Sequence, residues 1–142
     1  MLLALSLIAA YLIGSIPTAY LVGRAKGVDL RTVGSGNLGA TNVFRTLGWK
    51  WGLFVYLSDM LKGVLPVLLL PGVAGVSAGW PWGVAFGVAA IFGHVRPIFL
   101  LGKGGGKGVA TASGVFLALA PIPALCALVA FILVVAASRY VG

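Results

Sequence analysis

Four apolar stretches, residues 2–22, 52–70, 82–92 and 109–137, restrict what this chain can fold into more than any other feature. About 20 apolar residues in a helix cross the hydrocarbon core of a bilayer. The third stretch reaches that length by taking in Trp80, Pro81 and the residues around His94. The fourth is too long for one crossing and carries Ala120-Pro121-Ile122-Pro123 near its middle, where two prolines remove backbone donors and oppose helix continuity. It is expected to be two short helices joined by a tight turn, with one kinked helix as the alternative. Only 8% of the residues are charged, against roughly 25% in ordinary soluble domains. The chain is therefore expected to be all-α: a polytopic membrane helix bundle of about five transmembrane helices, forming a single integral membrane domain over residues 1–142.

The first stretch is too long for the h-region of a signal peptide, has no basic residue before it, and is followed by Arg24 and Lys26 instead of a small-residue cleavage site. It is expected to be a retained transmembrane helix. Arg24, Lys26, Arg31, Arg45 and Lys50 lie between the first and second stretches, Arg96, Lys103 and Lys107 follow the third, and Arg139 follows the last. Residues 71–79 and 120–124 carry no charge. The positive-inside rule then puts the N-terminus outside and every basic loop in the cytoplasm. Five crossings satisfy this pattern, whereas one helix over 109–137 would put Arg139 on the outer face.

Ten Lys and Arg against two acidic residues give a net charge of +8, a balance suited to an anionic partner. Nucleic acid is not expected, because the basic residues are not clustered with exposed aromatics. The lone Cys126 sits in an apolar run, which leaves no disulfide framework or thiolate metal site within one chain. No metal and no cofactor are expected.

Two glycine-rich segments interrupt the apolar pattern on the same face, GSGNLGATNVFR at 34–45 and GKGGGKG at 102–108. Glycines let backbone N–H groups approach an oxyanion, successive N–H groups form an anion-binding concavity, and a nearby Lys or Arg neutralises the charge. Both segments abut apolar residues that read as helix starts, Val43 onward and Val109 onward, where the helix dipole favours phosphate. Two phosphate sites are implied. A nucleotide P-loop does not fit, because Leu101 and Gly108 stand where that motif needs Gly and Ser or Thr.

Four motifs in order, GSIPTAYLVGR at 14–24, DLRTVGSGNLGATNVFR at 29–45, SDMLKGVLPV at 58–67 and GHVRPIFLLGKGGGKGVATASG at 93–114, resemble the bacterial acyl-phosphate:glycerol-3-phosphate acyltransferases. The resemblance covers essentially the whole chain. It implies that an acyl group passes from acyl phosphate to glycerol 3-phosphate, giving 1-acylglycerol 3-phosphate (lysophosphatidic acid) and phosphate, in phospholipid biosynthesis at the bacterial inner membrane. It also implies that the first glycine-rich motif handles the acyl phosphate and the reacting centre, that the second binds glycerol 3-phosphate, and that the site faces the cytoplasm. Family members usually have about seven helices and a C-terminal motif with His and Asn, so a chain ending at SRYVG is expected to be truncated relative to the family. Other departures are one extra glycine between Lys103 and Lys107, Arg96 at a usually aromatic position, and Leu38 where Pro or Ile is usual.

An acyl phosphate is a mixed anhydride with a good leaving group, so attack by a hydroxyl needs positioning and charge stabilisation more than a protein nucleophile. The expected catalytic groups are Ser35, Asn42 and Arg45, with Gly34, Gly36, Asn37, Gly39 and Thr41 binding the acyl phosphate. Lys103, Gly104, Gly105, Gly106, Lys107 and His94 are expected around glycerol 3-phosphate, His94 equally as a helix-end anchor. Asp59 and Lys62, three apart on one helical face, read either as a functional intramembrane site or as a mutually neutralised pair. Gly14, Pro17, Gly83, Gly87 and Gly93 are expected to serve close helix contact and kinking. The competing readings are a transporter or channel for an anionic phosphorylated solute and a non-catalytic family member. The sequence leaves oligomeric state and acyl-chain preference open.

Overall fold

The computed structural model describes residues 1–139, and every regular element among them is helical. The first apolar run forms α1 (Leu2–Ser15) and α2 (Thr18–Ala25). A loop leads to the short α3 (Ala40–Leu47) and then to α4 (Trp49–Ala74), the longest helix. After α5 (Trp80–Val95) comes a 3-10 turn, Ile98–Leu100, followed by α6 (Val109–Leu119) and α7 (Pro121–Ser138).

Among the described residues, four segments are long and apolar enough to cross a membrane: Leu2–Ala25, Trp49–Ala74, Trp80–Leu100 and Pro121–Ser138. The run 109–137 divides where its prolines predict, with Ala120 leaving helical geometry at φ −144, ψ 71 and Pro121 opening α7. Proline is favoured in the first turn of a helix, where its missing N–H costs nothing. Of the five expected crossings α6 is the short one, its 11 residues covering roughly 16 Å at 1.5 Å per residue.

The first run, expected to be one transmembrane helix with Pro17 serving kinking, is fully interrupted at Ile16-Pro17. A residue before proline is driven out of the helical region, and Ile16 lies at φ −59, ψ 114. Pro66 and Pro71, in contrast, stay inside α4.

Helix α4 is the hub, packed against α1, α3, α5 and α6. Two crossings are made by reciprocal glycines. A Cβ on Gly14 of α1 would collide with the Ala90 carbonyl of α5, and one on Gly93 with the Tyr11 carbonyl in return. Gly63 of α4 lies against the Thr111 carbonyl of α6, and Gly114 of α6 against that of Met60. Lipid supplies no hydrophobic drive for helix association, so such small residues win contact by letting backbones approach. Helix α7 packs against α6 and buries none of its residues.

Aromatic residues mark both ends of the hub. Trp49 and Trp51 begin α4, whereas Trp80 and Trp82 begin α5, one helix length away. The 26 residues of α4 reach about 39 Å, enough to carry these two groups to opposite interfaces, where Trp is enriched.

Candidate functional site

The polar loop before α3 is folded, not loosely solvated. Leu30 and Leu38 are buried in a cluster with Ala19, Val22, Val43 and Val55, which fastens the loop to α2, α3 and α4. Asn42 is the staple: its Oδ1 accepts from the Ser35 N–H at 3.0 Å, and its Nδ2 donates to the carbonyls of Leu30 at 3.1 Å and Val33 at 3.2 Å. Its side chain is buried and turned into the loop, so Asn42, expected among the catalytic groups, bonds to the Ser35 backbone from behind. Helix α3 begins at Ala40, earlier than the expected Val43, because the N–H groups of Asn42 and Val43 both bond back to the Gly39 carbonyl.

Two turns in this loop require glycine. Gly34 at φ +60 and Gly36 at φ +70 occupy the left-handed region, and a Cβ on Gly34 would also strike Asn42 Oδ1. The result is an exposed Ser35 held between two fixed points. Asn37 donates its N–H to Ser35 Oγ at 3.5 Å, and Thr41 and Arg45 are exposed on α3.

The second glycine segment lies against the first. A Cβ on Gly104 would sit 3.7 Å from both Leu38 Cδ1 and Arg31 Cδ, and one on Gly106 would sit 2.9 Å from the Leu38 carbonyl oxygen. Lys103 and Lys107 are exposed at either side of these glycines, and α6 starts at the expected Val109. Arg96 reaches the same segment, its guanidinium 3.4 Å from the Gly102 carbonyl. The structure thus brings Leu38, Gly104 and Gly106 together from segments far apart in the chain.

Positive charge dominates this end. Asp29, the only acidic residue outside the spans, is already paired with Arg31 through contacts of 2.9 and 2.7 Å. The Arg31 side chain and N–H hold the Asp29 carboxyl down at about 2, below its ordinary 3.8, and Asp29 in turn raises the guanidinium. Lys26 lies over the Trp51 ring at 4.2 Å and Arg31 over Tyr20 at 5.2 Å.

Beside Ser35's loop runs an open groove of about 760 Å³, lined by Ala40, Thr41, Phe44 and Arg45 of α3, by Trp49, Gly52, Leu53 and Tyr56 of α4, and by Arg139. Its wall is mainly apolar with two arginines, Arg45 and Arg139, in the lining, a form suited to an amphiphile carrying an anionic head.

A second, much smaller space lies beneath the glycine segments. Asp59, Lys62 and His94 line it together with Ser15, Thr18, Leu38, Gly105 and Gly106. Lys62 Nζ is 2.6 Å from Asp59 Oδ1 and also donates to the Ile16 carbonyl; His94 Nδ1 is 3.8 Å from the same carboxylate oxygen. The pair expected from the i,i+3 spacing therefore exists. The sequence did not reveal that His94 faces it from another helix. His94, expected among the glycerol-phosphate ligands, is buried behind Gly106, whose Cβ, if present, would overlap the imidazole. Ser15 and Thr18 were not anticipated here, and only their flanking of Pro17 could have signalled it.

Comparison with known proteins gives a consistent picture. The glycerol-3-phosphate acyltransferase family matches residues 4–142. A glycerol-3-phosphate acyltransferase of Trichlorobacter lovleyi is 53% identical over 133 residues, covering 94% of this chain and 66% of the relative. One of Geobacter sulfurreducens is 54% identical over 140 residues with the same two coverages. Among solved structures, PlsY (YgiH), an integral membrane glycerol 3-phosphate acyltransferase in its glycerol 3-phosphate form, superposes with a TM-score of 0.84 at 44% identity. That match covers 94% of this chain and 65% of the PlsY chain, so the present chain spans about two thirds of the length of the proteins it matches.

Proposed function

The chain belongs to the glycerol-3-phosphate acyltransferase family, and from that membership we propose that it transfers an acyl group from acyl phosphate to glycerol 3-phosphate. The acceptor's primary hydroxyl oxygen bonds to the acyl carbonyl carbon, the carbon–oxygen bond to phosphate breaks, and the hydroxyl proton leaves with a phosphate oxygen. The products are 1-acylglycerol 3-phosphate and inorganic phosphate. The names of the relatives and the glycerol 3-phosphate and lysophosphatidic acid forms of PlsY support acceptor and product. The observation that carries the reading is the contact of Leu38 with Gly104 and Gly106, which joins two glycine-rich basic segments into one continuous surface.

On this reading Ser35 and Arg45, with Gly34, Gly36, Asn37, Gly39 and Thr41, hold the acyl-phosphate head, and the groove along α3 and α4 takes the tail. Lys103, Lys107 and Gly104 to Gly106 hold the glycerol phosphate. Donors fixed in place stabilise charge as it develops at the carbonyl and the leaving phosphate, and the folded loop supplies such fixity through Asn42. The site faces the cytoplasm of a bacterial inner membrane, as the one-sided basic loops support.

The test is purified chain reconstituted in vesicles with acyl phosphate and radiolabelled glycerol 3-phosphate. Labelled lysophosphatidic acid is expected. Uptake of label without acylation would replace this reading with transport, and neither outcome would leave a non-catalytic family member.

A further inference from the structure

A lysine and an aspartate buried at membrane depth are costly, and removing two charges from water is rarely offset by their attraction alone. Their partners indicate what they hold. Pro17 breaks the first helix, and the Ile16 carbonyl, which a continuous helix would pair with the N–H four residues on, instead accepts from Thr18 N–H at 3.0 Å and from Lys62 Nζ. Irregular backbone at this depth persists only where its polar groups are satisfied again. Lys62 does that here, with side chains of Lys62 and Asp59 only 6% and 2% exposed.

The carboxylate looks the other way as well. Asp59 Oδ1 faces His94 Nδ1, and the far side of the imidazole abuts Gly106, while Gly105 lies against the His94 and Val95 carbonyls. The space between them is about 10 Å³, too small for a phosphate and close to the room of one water. The three side chains thus connect the broken first helix to the underside of the second glycine segment, and none of them opens toward the groove.

We propose that Asp59, Lys62 and His94 are positioning residues that fix the 102–108 segment for the acceptor phosphate: Lys62 anchors the break at Ile16, Asp59 neutralises Lys62 and faces His94, and His94 backs Gly106. The acceptor named here rests on the function proposed above. The anchoring of the segment does not.

Removing either charge alone leaves its partner buried and unpaired and is expected to be strongly destabilising, so the test uses the doubly neutral Asp59→Asn/Lys62→Met chain together with His94→Gln. Amide hydrogen exchange is measured without ligand in the wild-type chain and its variants. Residues 102–108 should exchange about tenfold faster in both variants, and residues 14–18 in the double variant alone. The glycerol 3-phosphate KM should rise about tenfold, with kcat and the acyl-phosphate KM changed less than about twofold. A merely structural pair would instead lower melting temperature without that split. Wild-type exchange over 102–108 in His94→Gln, or in a folded double variant, overturns the proposal. Exchange decides it whether or not the wild type acylates; a wild type that makes no lysophosphatidic acid overturns the proposed function instead.

Discussion

At the level of single residues, the first glycine motif separates into side chains exposed at its surface and side chains that hold the loop still. Ser35 and Arg45 are exposed on the loop and on α3, while Asn42 spends its amide on three backbone groups. All three were legible in the sequence as donors, but not their division of labour, because an amide's partner is set by where Leu30 and Val33 lie once the loop is folded. Removing one donor aimed at developing charge typically lowers kcat by ~10²–10³. Ser35→Ala and Arg45→Ala should therefore lose turnover at saturating substrate with melting temperatures near wild type, and full turnover in both would reduce the loop to a structural feature. Asp29 gives a pH prediction. Its folded-state carboxyl lies near 2, below the ordinary 3.8, so its pairing with Arg31 is complete at neutral pH and is lost as pH falls through about 2. A carboxyl carbon-13 titration should show that midpoint and move toward 3.8 in Arg31→Ala; an ordinary midpoint in the intact chain would contradict the pairing.

Among the elements, the apolar runs and the split at Ala120 could be read from the sequence because hydrophobic length and proline chemistry act locally. The break at Ile16-Pro17 could not be separated from the tolerated Pro66 and Pro71, since what decides it is the distant Lys62 that satisfies the freed carbonyl. Glycine roles divide in the same way. Gly114 meets the Met60 backbone across the α4–α6 crossing, whereas Gly72, also helical, has open space around its missing Cβ. Gly114→Ala should cost about 1–3 kcal/mol through forced backbone movement, and Gly72→Ala should be neutral or stabilising by up to about 1 kcal/mol. Detergent melting curves of the two variants check this; equal effects would mean that the crossing is looser than described.

Across the whole molecule, charge asymmetry, two glycine segments and an apolar bundle combine into one arrangement, a basic interface beside a mainly apolar groove, which on the proposed function takes an anionic head and its hydrocarbon tail. The sequence suggested two phosphate sites, and the fold adds the adjacency of the two glycine segments, because Leu38 touches the second segment only after the loop and α5 have packed. Adjacent sites permit direct attack of one bound substrate on the other, with no acylated protein between them. The most direct measurement is the initial rate of lysophosphatidic acid formation with both substrates varied. Intersecting double-reciprocal lines, with no acyl group retained on the protein, are the result that two neighbouring sites require. Parallel lines accompanied by a covalent acyl-protein would contradict the account.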